Sequence, residues 1–493
     1  MGKLKVTDFL IYRWRYPLGY ALFFIAIVTF LVIAGLFIPG GLSSYEIKSA
    51  LVSDGLNPHL LFSLEPQELL YLPYRLFQAA SIAMFGFNEF AIKLPSIILA
   101  AFSALGLLAL LGMWFQKNVA IIGSIMAISM GQFMLVAQSG HAGITYIFWS
   151  VSILLTASLI VRRGKFAPLW IIIAFILSGL SLYMPLNIYV ILALILTAIV
   201  HPHARHIVMR EVSKAALIVG SILFLLLITP LVIGIIHDTQ LLFDLLGIPS
   251  SWPAILENGR QIFHQYAGFY RPRNGLILQP VYSMGSLLLI LLGLYQMFTA
   301  KYTTKSYIIS FWLILLLPFV LLNPSTISVT FVPVALLLTQ GIDYLIRSWY
   351  RLFPRNPYAR VFGLVPLAVL VVGITVSNVD RYAYGFHYNE AAYVDYTYDL
   401  KILSNQLRTL PPNQQVTLLT TAAERPMYQA YAQHERIVLV LSVKTDVGSA
   451  MKNPYVLVTH DAKRSVTQQP NGVIAWKMSN DGDRFYLYKK SST

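Results

Sequence analysis

Eleven apolar stretches, most of them near the ~20 residues that a bilayer crossing needs, alternate with short loops along this chain. They fall at roughly 17–38, 93–113, 119–137, 144–161, 168–184, 187–200, 215–236, 284–299, 307–322, 328–346 and 361–378. Only 12% of the 493 residues are charged, whereas a water-soluble domain carries about a quarter. A chain of this pattern folds in lipid. The net charge of +15 is spread over the loops rather than gathered in one patch, which excludes a nucleic-acid surface and fits membrane topology. There is no cysteine, so disulfides, thiolate chemistry and thiolate-bound zinc are excluded. The basic start "MGKLKVTDFLIYRWRYP" precedes an apolar run without a small-residue cleavage site and reads as a retained anchor.

One further stretch, "ELLYLPYRLFQAASIAMFGFNEF" (68–90), is apolar but contains Pro73 and Arg75 and is bounded by Glu68 and Glu89. Loop charge decides its place. If 68–90 does not cross, the loop cations from Lys117 through Arg162, Arg205, Lys305 and Arg347 to Arg360 share the side of the basic N-terminus. If it crosses, all of them move to the wrong side. The segment is therefore expected to lie along the outer surface as an amphipathic helix. The expected fold is a polytopic α-helical membrane protein with about eleven transmembrane helices and outer-surface amphipathic helices. Its N-terminus is cytoplasmic in the cell membrane. Two long outer loops, 39–92 and 237–283, belong to a membrane domain over 1–378. Residues 379–493 read as a small extracytoplasmic α/β domain, with strands "QVTLLTT", "RIVLVLS", "YVLVTHD", "VIAWKM" and "RFYLYKK" and a helix at "RPMYQAYAQ". No internal repeat is visible.

The first outer loop supplies Glu46, Lys48, Asp54, His59, Glu65, Glu68 and Arg75. The second supplies Arg260, His264, Arg271 and Arg273 within "ENGRQIFHQYAGFYRPRNG". An acid on one flap and cations on the other suit a reaction in which a hydroxyl loses its proton while a phosphate departs. Two readings of Glu46 stand side by side. Ser43-Ser44-Tyr45-Glu46 has the S-x-x-E form of a capping box, which explains the acid as the first turn of a short surface helix with Ile47, Ala50, Leu51 and Asp54 on one face. A rigidly capped carboxylate also serves as a base. Arg75, Arg271 and Arg273 each have a simpler role as headgroup contacts. His141, in a tight outer turn, has no acid or histidine at ligand spacing. Tyr183 and Tyr189, flanking Pro185, read as interfacial anchors. "HPHARH" (201–206) looks like a metal run but lies on the basic side and reads as a surface loop.

The order of these features resembles the GT-C superfamily of membrane glycosyltransferases. The nearest likeness is to the dolichyl-phosphate-mannose protein mannosyltransferase-like and aminoarabinose-transferase-like group. It rests on "LPYRLFQAASIAMFGFNEFAIKLPSIILAAFSALGLLALLG", "SMGQFMLVAQSG" and "GLSLYMPLNIYV", and covers residues 10–200 well. The resemblance implies transfer of a mannose-like hexose from a polyprenyl-phosphate donor to an extracytoplasmic protein, lipid or glycan. Glu46 would be the catalytic base. Arg75, Arg260, His264, Arg271, Arg273, Tyr45, His141 and Tyr183 would form the donor and substrate site. The family's usual Asp-Glu pair is Tyr45-Glu46 here, its second acid is absent from Ser139–Gly143, and Lys93 stands where Arg is usual. Tyr45 at the Asp position leaves an alternative: a GT-C-derived protein that binds lipid or scaffolds a partner without chemistry. A transporter is a third reading, opposed by crossings almost free of ionisable groups. The sequence offers no ligand set for a divalent metal, so no cofactor is expected.

Overall fold

The computed structural model describes residues 10–29, 31, 41–56, 64–162, 164–210, 212–267, 281–299, 303–352, 357–388, 396–397, 399–409, 416–434, 439–443, 455–475 and 483–489. Arg271, Arg273 and His59 lie outside them.

Helix α1 (Leu10–Val28) is followed by a two-residue strand β1 (Leu42–Ser43) and three short helices, α2 (Ser44–Asp54), α3 (Pro66–Leu69) and α4 (Leu72–Phe85). At 14 residues, or about 21 Å, α4 is too short to cross a hydrocarbon core of about 30 Å, in keeping with the expectation for 68–90. The long apolar helices begin with α5 (Glu89–Trp114), whose first turn is closed by the Asn88 side chain accepting from Ala91 N–H at 2.8 Å. Next come α6 (Lys117–Ile128), α7 (Gly131–Gln138), α8 (Thr145–Val161), α9 (Ala167–Ser181), α10 (Ile188–Val200), α11 (Pro202–Arg210) and α12 (Lys214–His237). The second long loop holds α13 (Gln240–Leu246) and α14 (Ile255–Ala267), and α15 (Met284–Thr299), α16 (Thr304–Leu322), α17 (Phe331–Leu352) and α18 (Pro357–Tyr388) complete the helices of the bundle.

Among the described residues six helices are long and apolar enough to cross a membrane, or eight if each bent pair is one span. The expected single crossing at 119–137 is one such pair. It breaks between α6 and α7 with a 62° bend, where Ser129 turns its hydroxyl back to Met126 O at 2.9 Å and Met130 is extended. The 187–200 crossing is continued by α11 at 95°, so "HPHARH" opens a surface helix rather than a loop. Three shorter apolar helices, over 16–28, 167–181 and 284–299, occupy the remaining expected positions. Helices α15 and α17 pack closely because Gly293 and Gly341 face each other's partner backbone. A Cβ on either would collide with Leu337 O or Leu289 O.

The chain then adds β2 (Tyr396–Thr397), α19 (Asp399–Thr409), β3 (Val416–Leu419), α20 (Arg425–His434), β4 (Leu439–Ser442), β5 (Tyr455–Thr459), α21 (His460–Lys463), β6 (Gly472–Ala475) and β7 (Asp483–Lys489). The last five strands form one sheet in the order β4-β3-β5-β7-β6. Strands β4, β3 and β5 are parallel, while β7 runs antiparallel to both neighbours. Every strand and the helix expected over 416–489 is present. The sheet does not have a core to itself. Leu403, Val416, Tyr428, Tyr431 and Phe485 share one buried cluster with Leu42, Ala50, Ile82, Phe87 and Ile92 of the first outer segment. Strand β1 pairs with β2 (Leu42 opposite Thr397), and His434 meets Asp54 at 2.6 Å. The C-terminal sheet is thereby the support of the loop that carries Glu46.

Candidate active site

The bundle has two chemically different ends. At one, Lys117, Arg162, Lys214 and Lys305 gather around helix termini, and Lys305 Nζ reaches Trp114 O at 3.4 Å. The other collects the first outer segment, the 139–144 turn, the 182–187 turn, α13 and α14.

Glu46 sits in the first turn of α2 at zero exposure. Its Oε2 accepts from Ser43 N–H at 2.6 Å while Ser43 Oγ accepts from Glu46 N–H at 3.3 Å, the complete capping box. Its Oε1 accepts from Gly140 N–H at 2.5 Å, across 94 residues of sequence. The space around Gly140 is fully used, since a Cβ there would strike Ile92 and approach the Glu46 carboxylate. In this conformation the buried carboxylate joins two segments, its two oxygens accepting from Ser43 N–H and Gly140 N–H. Tyr45 beside it is 57% exposed.

Both faces of α2 are packed, and the polar one points inward. Glu46, Ala50 and Ser53 are buried, while Ile47 and Leu51 are half-buried against the C-terminal cluster. The reason is Gln78 of α4, also at zero exposure. Its Oε1 accepts from Ser49 Oγ (3.0 Å) and Ser53 Oγ (2.8 Å). Its Nε2 donates to Ile92 O (3.0 Å) and Gly140 O (2.7 Å). All four of its hydrogen-bonding positions are filled, which a buried amide requires. Gln78 carries no charge and matches no motif, so local pattern alone does not single it out. What the sequence does show is the spacing Tyr74, Gln78, Ser81, which puts three polar-tipped residues on one face of an apolar helix. Tyr74 and Ser81 use that face in the same way, bonding Ser96 Oγ at 2.8 Å and Ala91 O at 2.7 Å. Lys93 Nζ donates to Gly41 O at 2.5 Å, so its charge secures the start of the first outer segment.

His141 follows Gly140. Its Nδ1 accepts from Gly143 N–H at 2.9 Å, so the neutral ring carries its proton on Nε2. Burial lowers the His141 pKa below the ordinary imidazole value, and the charge of Glu46 opposes that shift. Arg75 stands one turn before Gln78. Its Nη1 donates to Gln67 O at 2.6 Å and its guanidinium lies 6.0 Å from the centre of the Tyr71 ring. Desolvation lowers its pKa, with Tyr71 and Glu68 acting against the shift. Tyr71 itself has φ +62°, a left-handed conformation that costs a non-glycine residue about 1–2 kcal/mol. It is held there by its N–H donating to Tyr183 O at 2.8 Å. Leu186, at φ +63°, is held likewise by its N–H donating to Leu245 O at 2.8 Å. Two strained residues on this face are each fixed by a backbone bond between distant segments.

Tyr183 is 3% exposed, and its phenol donates to Leu227 O at 2.7 Å. Burial pushes its pKa up to about 12. It is a clamp on α12 rather than an interfacial anchor. Arg260 is exposed and His264 half-buried on α14. That helix is fastened to the end of α16 by Asn258 Nδ2 donating to Leu321 O (2.8 Å) and Leu322 O (3.1 Å), and to the 324–330 turn by Tyr266 and Thr330. The structure thus brings Glu46 against the Gly140–His141 turn, with Tyr45 at the surface, and sets Arg75 in a neighbouring contact set with Gln67, Tyr71 and the Tyr183 backbone. Arg260 and His264 sit on a separately anchored helix. Among the described residues no group of three or more His, Asp or Glu side chains is arranged to hold a metal ion.

Comparison with known proteins agrees with this architecture. Residues 73–233 match the family model of dolichyl-phosphate-mannose-protein mannosyltransferase. A search of curated proteins gave no match. Among solved structures, ArnT from Cupriavidus metallidurans bound to undecaprenyl phosphate aligns over 99% of this chain and 99% of its own, at 12% identity and TM-score 0.52. The apo form of that protein gives 11% identity and 0.51, over 96% and 98%. The apo oligosaccharyltransferase of Archaeoglobus fulgidus aligns over 91% of this chain and 70% of its own, at 12% identity and 0.51. The chain thus shares its overall fold with these structures, and about a third of it, residues 73–233, matches the mannosyltransferase family model.

Proposed function

We propose that this protein is a membrane glycosyltransferase that takes a hexose, mannose-like, from a polyprenyl-phosphate donor and delivers it to an extracytoplasmic protein, lipid or glycan acceptor. In this reading the chain crosses the cell membrane eleven times. The N-terminus is cytoplasmic, the 1–378 portion forms the membrane domain, and 379–493 stands outside. The observation that carries the proposal is the network at the end of the bundle opposite the basic loops. It sets the Glu46 carboxylate beside the His141 turn, with the Arg75 guanidinium on the α4 helix that packs against α2, within a fold of which one solved example carries a bound polyprenyl phosphate.

Arg75 and the α14 cations Arg260 and His264, with Arg271 and Arg273, would offset the charge of the departing phosphate. Tyr45 and the Nε2–H of His141 would orient the sugar or the acceptor. Glu46 acts as the base in this scheme if an acceptor hydroxyl replaces Gly140 N–H at Oε1. Without that exchange its part is to hold the turn in place.

The burial of Glu46 favours a second reading, in which the protein binds a polyprenyl lipid or a partner without transferring sugar. One experiment separates the two. Purified protein in lipid is offered polyprenyl-phosphate mannose and glucose with candidate acceptors, and transfer and thermal stability are measured for wild type and Glu46→Gln. Loss of transfer by about 10²–10⁴-fold with an unchanged melting midpoint identifies Glu46 as the base. Loss of both assigns it to positioning. Donor binding without transfer by wild type supports the scaffold.

A further inference from the structure

The basic end of the bundle contains a cavity of about 630 Å³ that the proposed reaction does not use. It opens between the ends of α5, α8, α10 and α16, with α11 along one side. A second cavity of about 300 Å³ adjoins it across Ile207. The size lies within the range of small-ligand sites, about 300–1,000 Å³. The walls are Leu154, Ala157, Leu194 and Ile308. The polar atoms among them are already satisfied. Trp114 Nε1 donates to Ser158 Oγ at 2.8 Å, Ser158 Oγ to Leu154 O at 2.8 Å, and Thr197 Oγ1 to Ala193 O at 2.7 Å. Such walls give water few partners and suit a hydrocarbon chain.

The mouth combines this apolar volume with charge. Arg162, His203 and Lys305 all line the cavity. Lys305 lies 4.1 Å over the Phe115 ring, and Asp343, the acid whose field it feels, is held by Arg347 at 2.9 Å. Val161, Ile195 and Val208 are about half exposed around the same opening, as side chains that face lipid would be. Helix α11 turns 95° away from α10 and presents Arg205, Arg210, Val208 and Met209 outward while burying Ile207. This is the pattern of a basic amphipathic helix lying on an anionic bilayer surface.

We propose that this cavity is a binding site for an anionic phospholipid of the adjacent leaflet. Its acyl chain enters between α8, α10 and α16, and its phosphate rests on Arg162, His203 and Lys305. The site is independent of the sugar-transfer reading, which concerns the opposite end of the bundle.

The test is native mass spectrometry of the full-length protein carrying phosphatidylglycerol or phosphatidylcholine of identical chains, paired with thermal unfolding in each lipid. Wild type is expected to retain and be stabilised by phosphatidylglycerol preferentially. Each cation removed should weaken that retention about fivefold, so Arg162→Gln/Lys305→Gln should lose about 25-fold. Ala157→Phe, which fills the chain seat, should release both lipids, and Lys305→Arg should retain phosphatidylglycerol. Equal retention of the two lipids by wild type would overturn the site, as would a preference that survives the double substitution. Displacement by millimolar inorganic phosphate would make it a soluble-anion site instead, and stronger retention of undecaprenyl phosphate would exclude a phospholipid as the natural occupant. The melting midpoint of each variant without added lipid separates lost binding from lost folding.

Discussion

The two long outer segments carry the residues of the proposed site in opposite ways. In the first, α2, α4 and the start of α5 are bound together by side chains that are themselves buried. Glu46 joins Ser43 to Gly140, and Gln78 joins two serines to two carbonyls. In the second, α14 meets the bundle along one side only. Its other side leaves Leu256, Arg260 and Phe263 exposed, with Leu256 at 90%, and Trp252 just before the helix is exposed too. Leu256, Arg260 and Phe263 form one stripe along the helix, apolar apart from the arginine. One flap is rigid because its polar groups have no water to fall back on. The other leaves an exposed apolar face that suits contact with lipid. A donor with a long isoprenoid tail and a small charged head would need both properties: a fixed frame for the head and a lipid-compatible wall for the tail.

Substitutions at the two flaps should therefore differ in kind. Replacing Gln78 by Leu removes four hydrogen bonds at once and strands Ser49 Oγ and Gly140 O, while Ser53 Oγ keeps only its bond to Ser49 O. At about 1–3 kcal/mol for each unsatisfied group, it should lower the melting midpoint more than any other single change here. An unchanged midpoint would show that the first flap is not the rigid one.

The support beneath that flap should respond to pH. Asp399, near the sheet, has its pKa raised from 3.8 to about 6, first by burial, with Arg484 and the Tyr428 hydroxyl opposing. Because the folded value lies above the unfolded one, the folded protein holds a proton that the unfolded chain has released between about pH 4 and 6. Stability is highest below that window and falls as pH rises through it. Thermal unfolding from pH 4 to 7 should show this fall in wild type and a flatter profile in Asp399→Asn.

On the second flap, Arg260→Gln should leave the melting midpoint unmoved and weaken binding of a polyprenyl-phosphate donor about fivefold, the effect of one cation at a membrane surface. A large drop in stability would mean that α14 is as much a part of the frame as α4. The smallest effect is expected at the contact between the flap and the sheet. Asp54 and His434 are both part-exposed, so Asp54→Asn should cost under about 1 kcal/mol in unfolding experiments.

Much of this protein was decided by its sequence alone. Apolar runs of crossing length permit only helices in lipid, because no water is present there to satisfy open backbone groups. The loop cations then fixed which ends of those helices lie together, and α4 stays short as Pro73 and Arg75 within 68–90 suggest. The S-x-x-E capping box was equally legible, because its partners are three residues apart. So were the strands of 416–489, where alternation and turn residues act locally. The tertiary structure decided the rest. The third partner of Glu46 is Gly140, and no local rule reports a bond across 94 residues. The α2 helix turns its polar face inward only because Gln78 waits opposite it, and Tyr183 bonds Leu227 rather than meeting the interface. Periodicity states which residues share a face. What that face meets depends on where the other segments come to rest, and a buried polar group is tolerable only after they have arrived.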